Sequence, residues 1–115
     1  MCRFVIYLGP PIPLSHLTTL PTHSLIHQSY KAREREEPLN GDGFGVAWYA
    51  PELSPEPALF RDVTPAWNNE NLRCLAQVTR SRTILAHVRA ATQGSVLQTN
   101  CHPFSAGPLA FMHNG

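Results

Sequence analysis

Thr83-Ile84-Leu85-Ala86-His87-Val88-Arg89 is the stretch on which the architecture turns. It is β-branched or apolar at most positions, lacks Gly and Pro, and has the length of a strand rather than a helix. Working outward, residues 68–79 form the best helical pattern in the chain. Leu72, Leu75, Ala76 and the pair Val78 and Thr79 fall on roughly one face there, and asparagines are available as caps. Residues 44–49 and 59–63 read as two strands of a hairpin whose long tip carries Pro51, Pro55 and Pro57. Asn40-Gly41-Asp42-Gly43 is the turn leading into it. Residues 3–8 predict a buried strand that stops sharply at Gly9-Pro10-Pro11. Leu14, Leu17 and Leu20 suggest a short helix ending before Pro21. Residues 109–112 are a last strand running straight into His113-Asn114-Gly115. Residues 31–37 mix charges and read as a solvated loop or helix end. Strands outnumber helices, and no repeat or low-complexity tract interrupts them.

Composition narrows the function classes. The chain has 115 residues, which supports at most one domain. Lys and Arg total 9 against 8 Asp and Glu, for a net charge of +1. That balance offers no electrostatic case for nucleic acid or an anionic membrane as partner. Charged residues are 15% against about 25% in ordinary domains. Pro reaches 11 of 115 residues, about twice the usual share. Low charge with many prolines suggests much loop, or a surface covered by more protein. No apolar run approaches the about 20 residues that span a bilayer, and no hydrophobic signal segment follows Met1, so the expected location is the cytoplasm. Three cysteines, Cys2, Cys74 and Cys101, without a secretion signal argue against a disulfide framework. Without a C-x-x-C spacing, a structural zinc site is not expected. Cys74 and Cys101 are expected to be buried and structural. Trp48 and Trp67 are expected in packing roles.

Cys2 carries the first chemistry. Met1 precedes a small residue and is expected to be removed, leaving Cys2 at the N-terminus. A thiol and an α-amine then share one residue. An α-amine titrates at about 7.7–8.0, close enough to working pH to act as base toward its own thiol. Downstream come Gly41-Asp42-Gly43-Phe44-Gly45-Val46-Ala47-Trp48-Tyr49, His87-Val88-Arg89-Ala90-Ala91-Thr92, Asn100-Cys101-His102-Pro103-Phe104 and Phe111-Met112-His113-Asn114-Gly115. With Met1-Cys2-Arg3-Phe4, these motifs in this order resemble the class-II glutamine amidotransferases, which are N-terminal-nucleophile hydrolases. The start Cys-Arg-Phe and the segment Pro21-Thr22-His23-Ser24-Leu25-Ile26-His27-Gln28-Ser29 are similar to the free-standing members. Among these are the amidotransferase-like subunit of the glutathione-degrading complex and the γ-glutamyl amidohydrolase of ergothioneine biosynthesis.

The resemblance implies an α+β, four-layer αββα fold, of which residues 1–115 (2–115 after Met1 removal) are the N-terminal portion. It implies Cys2 as the nucleophile toward the γ-carbonyl of glutamine or another γ-glutamyl compound. Asn114 and Gly115 are implied as the oxyanion hole. Arg89 is implied to grip the substrate α-carboxylate, for which a planar, permanently charged fork is suited. Thr92 and His113, from the same motifs, are expected at the substrate. His87 and His102 are expected to support by hydrogen bonds rather than to act as catalytic base. The competing reading of Arg89 is a surface ion pair, and Asp42 is expected to stabilise its turn. No cofactor or metal is implied. The expected partners are the small-molecule substrate and a possible partner subunit. Family domains are about twice this length and bind the substrate ammonium with an acidic residue beyond the Asn-Gly, so a break inside the domain at Gly115 is expected. The alternatives are a catalytically inactive remnant or a subunit that folds only with a partner, and a small metal-binding domain.

Overall fold

The computed structural model describes residues 2–19, 24, 42–90 and 95–114. Its elements in chain order are β1 (Arg3–Pro13), α1 (Ser15–Thr18), β2 (Phe44–Trp48), β3 (Ala58–Asp62), α2 (Glu70–Val78), β4 (Arg80–Val88), β5 (Phe104–Ala106) and β6 (Leu109–Phe111). One-turn 3-10 segments lie at Ala66–Asn68 and Gln98–Asn100. The mixed-charge run at 31–37, residues 21–29 apart from Ser24, and Leu20 fall outside the described residues.

The strands form an antiparallel sheet in the order β1-β4-β2-β3. β4, the last of these four in sequence, thus inserts between β1 and β2. That place explains its composition. A central strand is covered on both faces, and residues 84–88 are all buried. β2 and β3 make the expected hairpin, with Phe44 opposite Asp62 and Trp48 opposite Ala58.

β1 departs from expectation. It is an edge strand, not a buried one, and it continues through Gly9, Pro10 and Pro11 to Pro13. An edge strand has one ladder to satisfy, so prolines are tolerated, and the pairing shifts register between Leu8 and Ile12 where they fall. Burial alternates along it. Val5 and Tyr7 pack on the core, while Phe4, Ile6 and Leu8 are 45%, 54% and 73% exposed on the opposite face.

The helices cover one face of the sheet. Leu14, Ala66, Leu72 and Ala76 pack with Phe44, Val46, Ile84, Ala86 and Val88, and Trp48 lies partly buried beside them. α2 starts where Asn69 caps it: the side-chain oxygen accepts from the Leu72 N–H at 2.8 Å. Such a cap contributes about 1 kcal/mol. Leu72 and Ala76, one turn apart, are the buried pair, whereas Val78 points to solvent because six residues advance the helix by well over half a turn beyond the first. α1 is shorter than the leucine spacing suggests, and Leu14 is buried just before it.

On the other face, Ala47, Leu85 and His87 are also buried. His87 is covered by the His102 ring, beyond which lies the β5–β6 hairpin, whose first strand the sequence does not signal as a periodic run. β5 has only three residues, and its signal is the Gly107-Pro108 turn between short apolar pieces, with Gly107 at φ +56°. Tyr49 Oη donates to the Pro108 carbonyl at 2.8 Å and ties the hairpin tip to the end of β2. Among the described residues, no helix is long and apolar enough to cross a membrane.

Candidate active site

The register of β1 against β4 sets Arg3 opposite Val88. Cys2, just before one strand, therefore meets the residues just after the other. Its sulfur accepts a hydrogen bond from the Ala90 N–H at 3.4 Å and lies 3.6 Å from the Ala90 carbonyl oxygen. Pairing brings residues 88 apart in sequence into contact. The hydrogen bonds of this sulfur among the described residues go to the Ala90 peptide groups and not to a histidine ring, which weighs against a thiol–imidazole pair. Ala90 was not anticipated, because a peptide N–H leaves no side-chain signature.

Arg89 is buried, at 9% exposure, so the surface ion-pair reading does not hold. Its main chain is fixed on both sides: its N–H donates to the Gly43 carbonyl at 2.8 Å, and its carbonyl accepts from the Asp42 N–H at 3.1 Å. Its Nη1 donates to the Ser95 carbonyl at 3.2 Å. The glycine-rich motif thus serves Arg89 through the backbone. Gly43 has φ +119°, and a Cβ there would stand 2.5 Å from the Cys101 sulfur and 2.9 Å from the Asp62 carbonyl oxygen. Only glycine satisfies both the backbone angle and the space.

Gly45 has a different reason. It pairs with His87 across the ladder, and the His102 carbonyl lies directly over its Cα, so that any Cβ would collide with it. This contact seats residues 101–103 on the sheet. Cys101 is buried there, with Sγ 3.4 Å from the Asp62 carbonyl, and burial raises its thiol pKa, in keeping with a protonated, structural cysteine. Cys74 is exposed on α2, contrary to expectation.

Three histidines gather beside these residues. His87 is 1% exposed and stacks on His102, with ring centroids 4.4 Å apart and planes at 19°. His113 meets His102 edge-on at 4.6 Å, and Phe104 flanks it at 4.3 Å. The His113 N–H donates to His102 Nδ1 at 3.1 Å, and the His113 carbonyl faces His87 Nε2 at 3.2 Å. His87 Nδ1 is buried without a well-aligned hydrogen bond, while the Asn114 side chain lies near enough to the ring to favour its charged form. Burial outweighs that and lowers the His87 pKa. Burial, then the neighbouring histidines and Arg89, lower that of His102 to about 4. These rings stack, and no group of three His, Cys, Asp or Glu among the described residues is arranged to hold a metal ion.

Of the predicted site residues, Cys2 lies at the start of β1 against Ala90, the residue that follows Arg89 at the end of β4. His113 and Asn114 reach the same end of β4 through His87. The side chains of His113 and Asn114 are exposed. Thr92 and Gly115 lie outside the described residues.

A family comparison matches residues 15–115 to the class-II glutamine amidotransferases. The chain belongs to this family. Among curated proteins it is 56% identical to the Saccharomyces cerevisiae protein named "Probable glutamine amidotransferase DUG3", across all of this chain and 34% of that one. It is 36% identical to the γ-glutamyl-hercynylcysteine sulfoxide hydrolase of Mycolicibacterium smegmatis, across all of this chain and 51% of that one. Among solved structures, a glutamine aminotransferase class-II domain protein from Silicibacter pomeroyi superposes with a TM-score of 0.62 at 34% identity, over all of this chain and 36% of that one. The chain thus spans about a third to a half of the length of these relatives. They match the free-standing subgroup.

Proposed function

We propose that this chain carries the nucleophile and substrate carboxylate site of a hydrolase acting on the γ-amide of glutamine or a γ-glutamyl compound. The observation that carries the reading is the contact of Cys2 with Ala90, which seats its thiol against the residue that follows the buried Arg89. Once Met1 is removed, the Cys2 α-amine takes the thiol proton and the sulfur attacks the γ-carbonyl carbon. The developing oxyanion is met by the Asn114 side-chain N–H and the Gly115 peptide N–H. The C–N bond breaks as the protonated α-amine gives its proton to the leaving nitrogen. Water then hydrolyses the γ-glutamyl thioester, which releases glutamate and restores the thiol. The Arg89 guanidinium holds the α-carboxylate throughout, and Thr92 and His113 line the substrate.

The sheet with helices on one face, and Phe4, Ile6, Leu8, Leu109 and Phe111 exposed elsewhere, supports reading it as one half of a four-layer sandwich. In that reading the remainder of the domain supplies the second sheet and the acid that meets the substrate ammonium. The named activities of the relatives do not favour a catalytically inactive remnant.

The test is intact mass combined with labelling. The full-length protein should lack Met1 and take up one equivalent of a glutamine-like diazo-ketone at Cys2. Cys2→Ala should lower γ-glutamyl hydrolysis by about 10³-fold or more, as loss of a nucleophile does. Retained activity in that variant ends the reading.

A further inference from the structure

We propose that His87 and His102 are positioning residues that clamp the main chain of His113 from both sides and so hold Asn114 where an oxyanion forms. This rests on the reading of Asn114 as an oxyanion donor and adds how it is held. Asn114 is exposed in the irregular segment that follows β6, where a side chain ordinarily samples several rotamers. An oxyanion donor must instead be fixed before the charge appears. The residue before Asn114 has both of its main-chain polar groups tied to rings. The His113 N–H ends on His102 Nδ1 and the His113 carbonyl on His87 Nε2.

The partners dictate the tautomers. A carbonyl can only accept, so His87 carries its proton on Nε2. An N–H can only donate, so His102 Nδ1 is a bare lone pair and its proton sits on Nε2. The clamp itself is rigid. Both rings are buried and stacked, and the His102 backbone rests on β2 at the one residue without a Cβ to repel it.

Protonation affects the two rings differently. A charged His87 still donates from Nε2. A charged His102 presents N–H to N–H and releases His113. The titratable and charged groups acting on His102 are His87 and Arg89 from β4 and its end, and His113 after β6, while Arg61 of β3 donates from Nη1 to the adjoining Cys101 carbonyl. Asp62 of β3, which acts on the adjoining Cys101, accepts from the Asn69 side chain at 3.1 Å. Burial first, and then the neighbouring His87, His113 and Arg89, keep His102 neutral.

The experiment compares substitutions at His102 in the full-length enzyme. His102→Phe keeps the stacked ring and removes the acceptor, whereas His102→Asn places an oxygen near the Nδ1 position. His102→Phe should lower kcat by about 10- to 100-fold with KM for glutamine within about twofold, as expected of a misplaced rather than deleted donor. It should weaken binding of the γ-aldehyde of glutamate, which forms an oxyanion-like adduct on Cys2, while glutamate binds as before. His102→Asn should restore most of kcat. Asn114→Ala separates the two ideas. If it leaves kcat unchanged, the oxyanion reading fails. If it lowers kcat but His102→Phe does not, or if KM rises in step, the clamp is overturned. A folding failure of the Phe variant is covered by nitrogen-15 NMR of the wild-type imidazoles. Nδ1 of His102 should have the shift of an unprotonated, hydrogen-bonded nitrogen from pH 5 to 7, and a protonated Nδ1 overturns the proposal.

Discussion

Gly45→Ala should be among the most damaging single-methyl additions in this chain. A Cβ there overlaps the His102 carbonyl oxygen and stands 2.8 Å from its carbon and 2.9 Å from Arg61 Cγ. The Arg61 methylene can swing away. The His102 peptide cannot, because its residue is buried and its ring is held between His87, Phe104 and His113. Overpacking of this kind costs about 1–3 kcal/mol. Lifting the segment also parts His102 Nδ1 from the His113 N–H, and a buried polar group left unsatisfied costs about 1–3 kcal/mol more. The sum is about 2–6 kcal/mol, none of it from backbone strain, since among the described glycines positive φ occurs at Gly43 and Gly107. In the full-length protein, at about 2–4 °C per kcal/mol for a domain of roughly 150–250 residues, Tm should fall by about 4 °C or more. Gly107→Ala is the matched control. That residue has φ +56° but nothing within 4 Å of the added methyl, so its cost is the left-handed backbone alone, about 1–2 kcal/mol. Thermal unfolding of both variants by circular dichroism decides the matter. A Gly45→Ala drop no larger than that of Gly107→Ala refutes the seating of His102 on β2.

Two further outcomes follow. Arg89→Lys replaces a planar fork by a point charge, so KM for glutamine should rise about tenfold or more while kcat stays within about threefold; an unchanged KM in steady-state kinetics removes Arg89 from the carboxylate site. For pH, the fold holds His102 neutral down to about 4 against an ordinary 6.5, so its stabilising contribution is fully present above about 6.5 and is lost as pH falls from there toward about 4. His87 acts in the same direction. Urea unfolding should show stability falling by up to about 3 kcal/mol across that window, with the fall reduced in His102→Asn, and an equal slope in both proteins contradicts the assignment.

The elements were largely legible because their signals are local. β4 is a continuous apolar run, α2 has an asparagine cap and a buried face, and the β2–β3 hairpin is bounded by turn residues. β1 was read as buried because hydrophobic composition reports affinity for a core, not which neighbour a strand finds. Its edge position depends on β4 inserting from far along the chain. β5 was missed because three residues carry no period.

For the candidate site, residue types, their order and the resemblance they carry put forward Cys2, Arg89, Thr92, His113, Asn114 and Gly115, since thiol, guanidinium and amide chemistry resides in the side chain. The contacts that place them are non-local. Cys2 rests on a peptide N–H at Ala90, Arg89 is fixed through the Gly43 carbonyl, and Asn114 follows a residue held by two rings from different segments. Peptide groups are the same at every residue, so no composition or spacing can mark which of them will meet a sulfur or a ring. Motif chemistry is therefore written in the chain, whereas the register of β1 on β4, and the seat that Gly45 leaves for His102, exist only once the strands have paired.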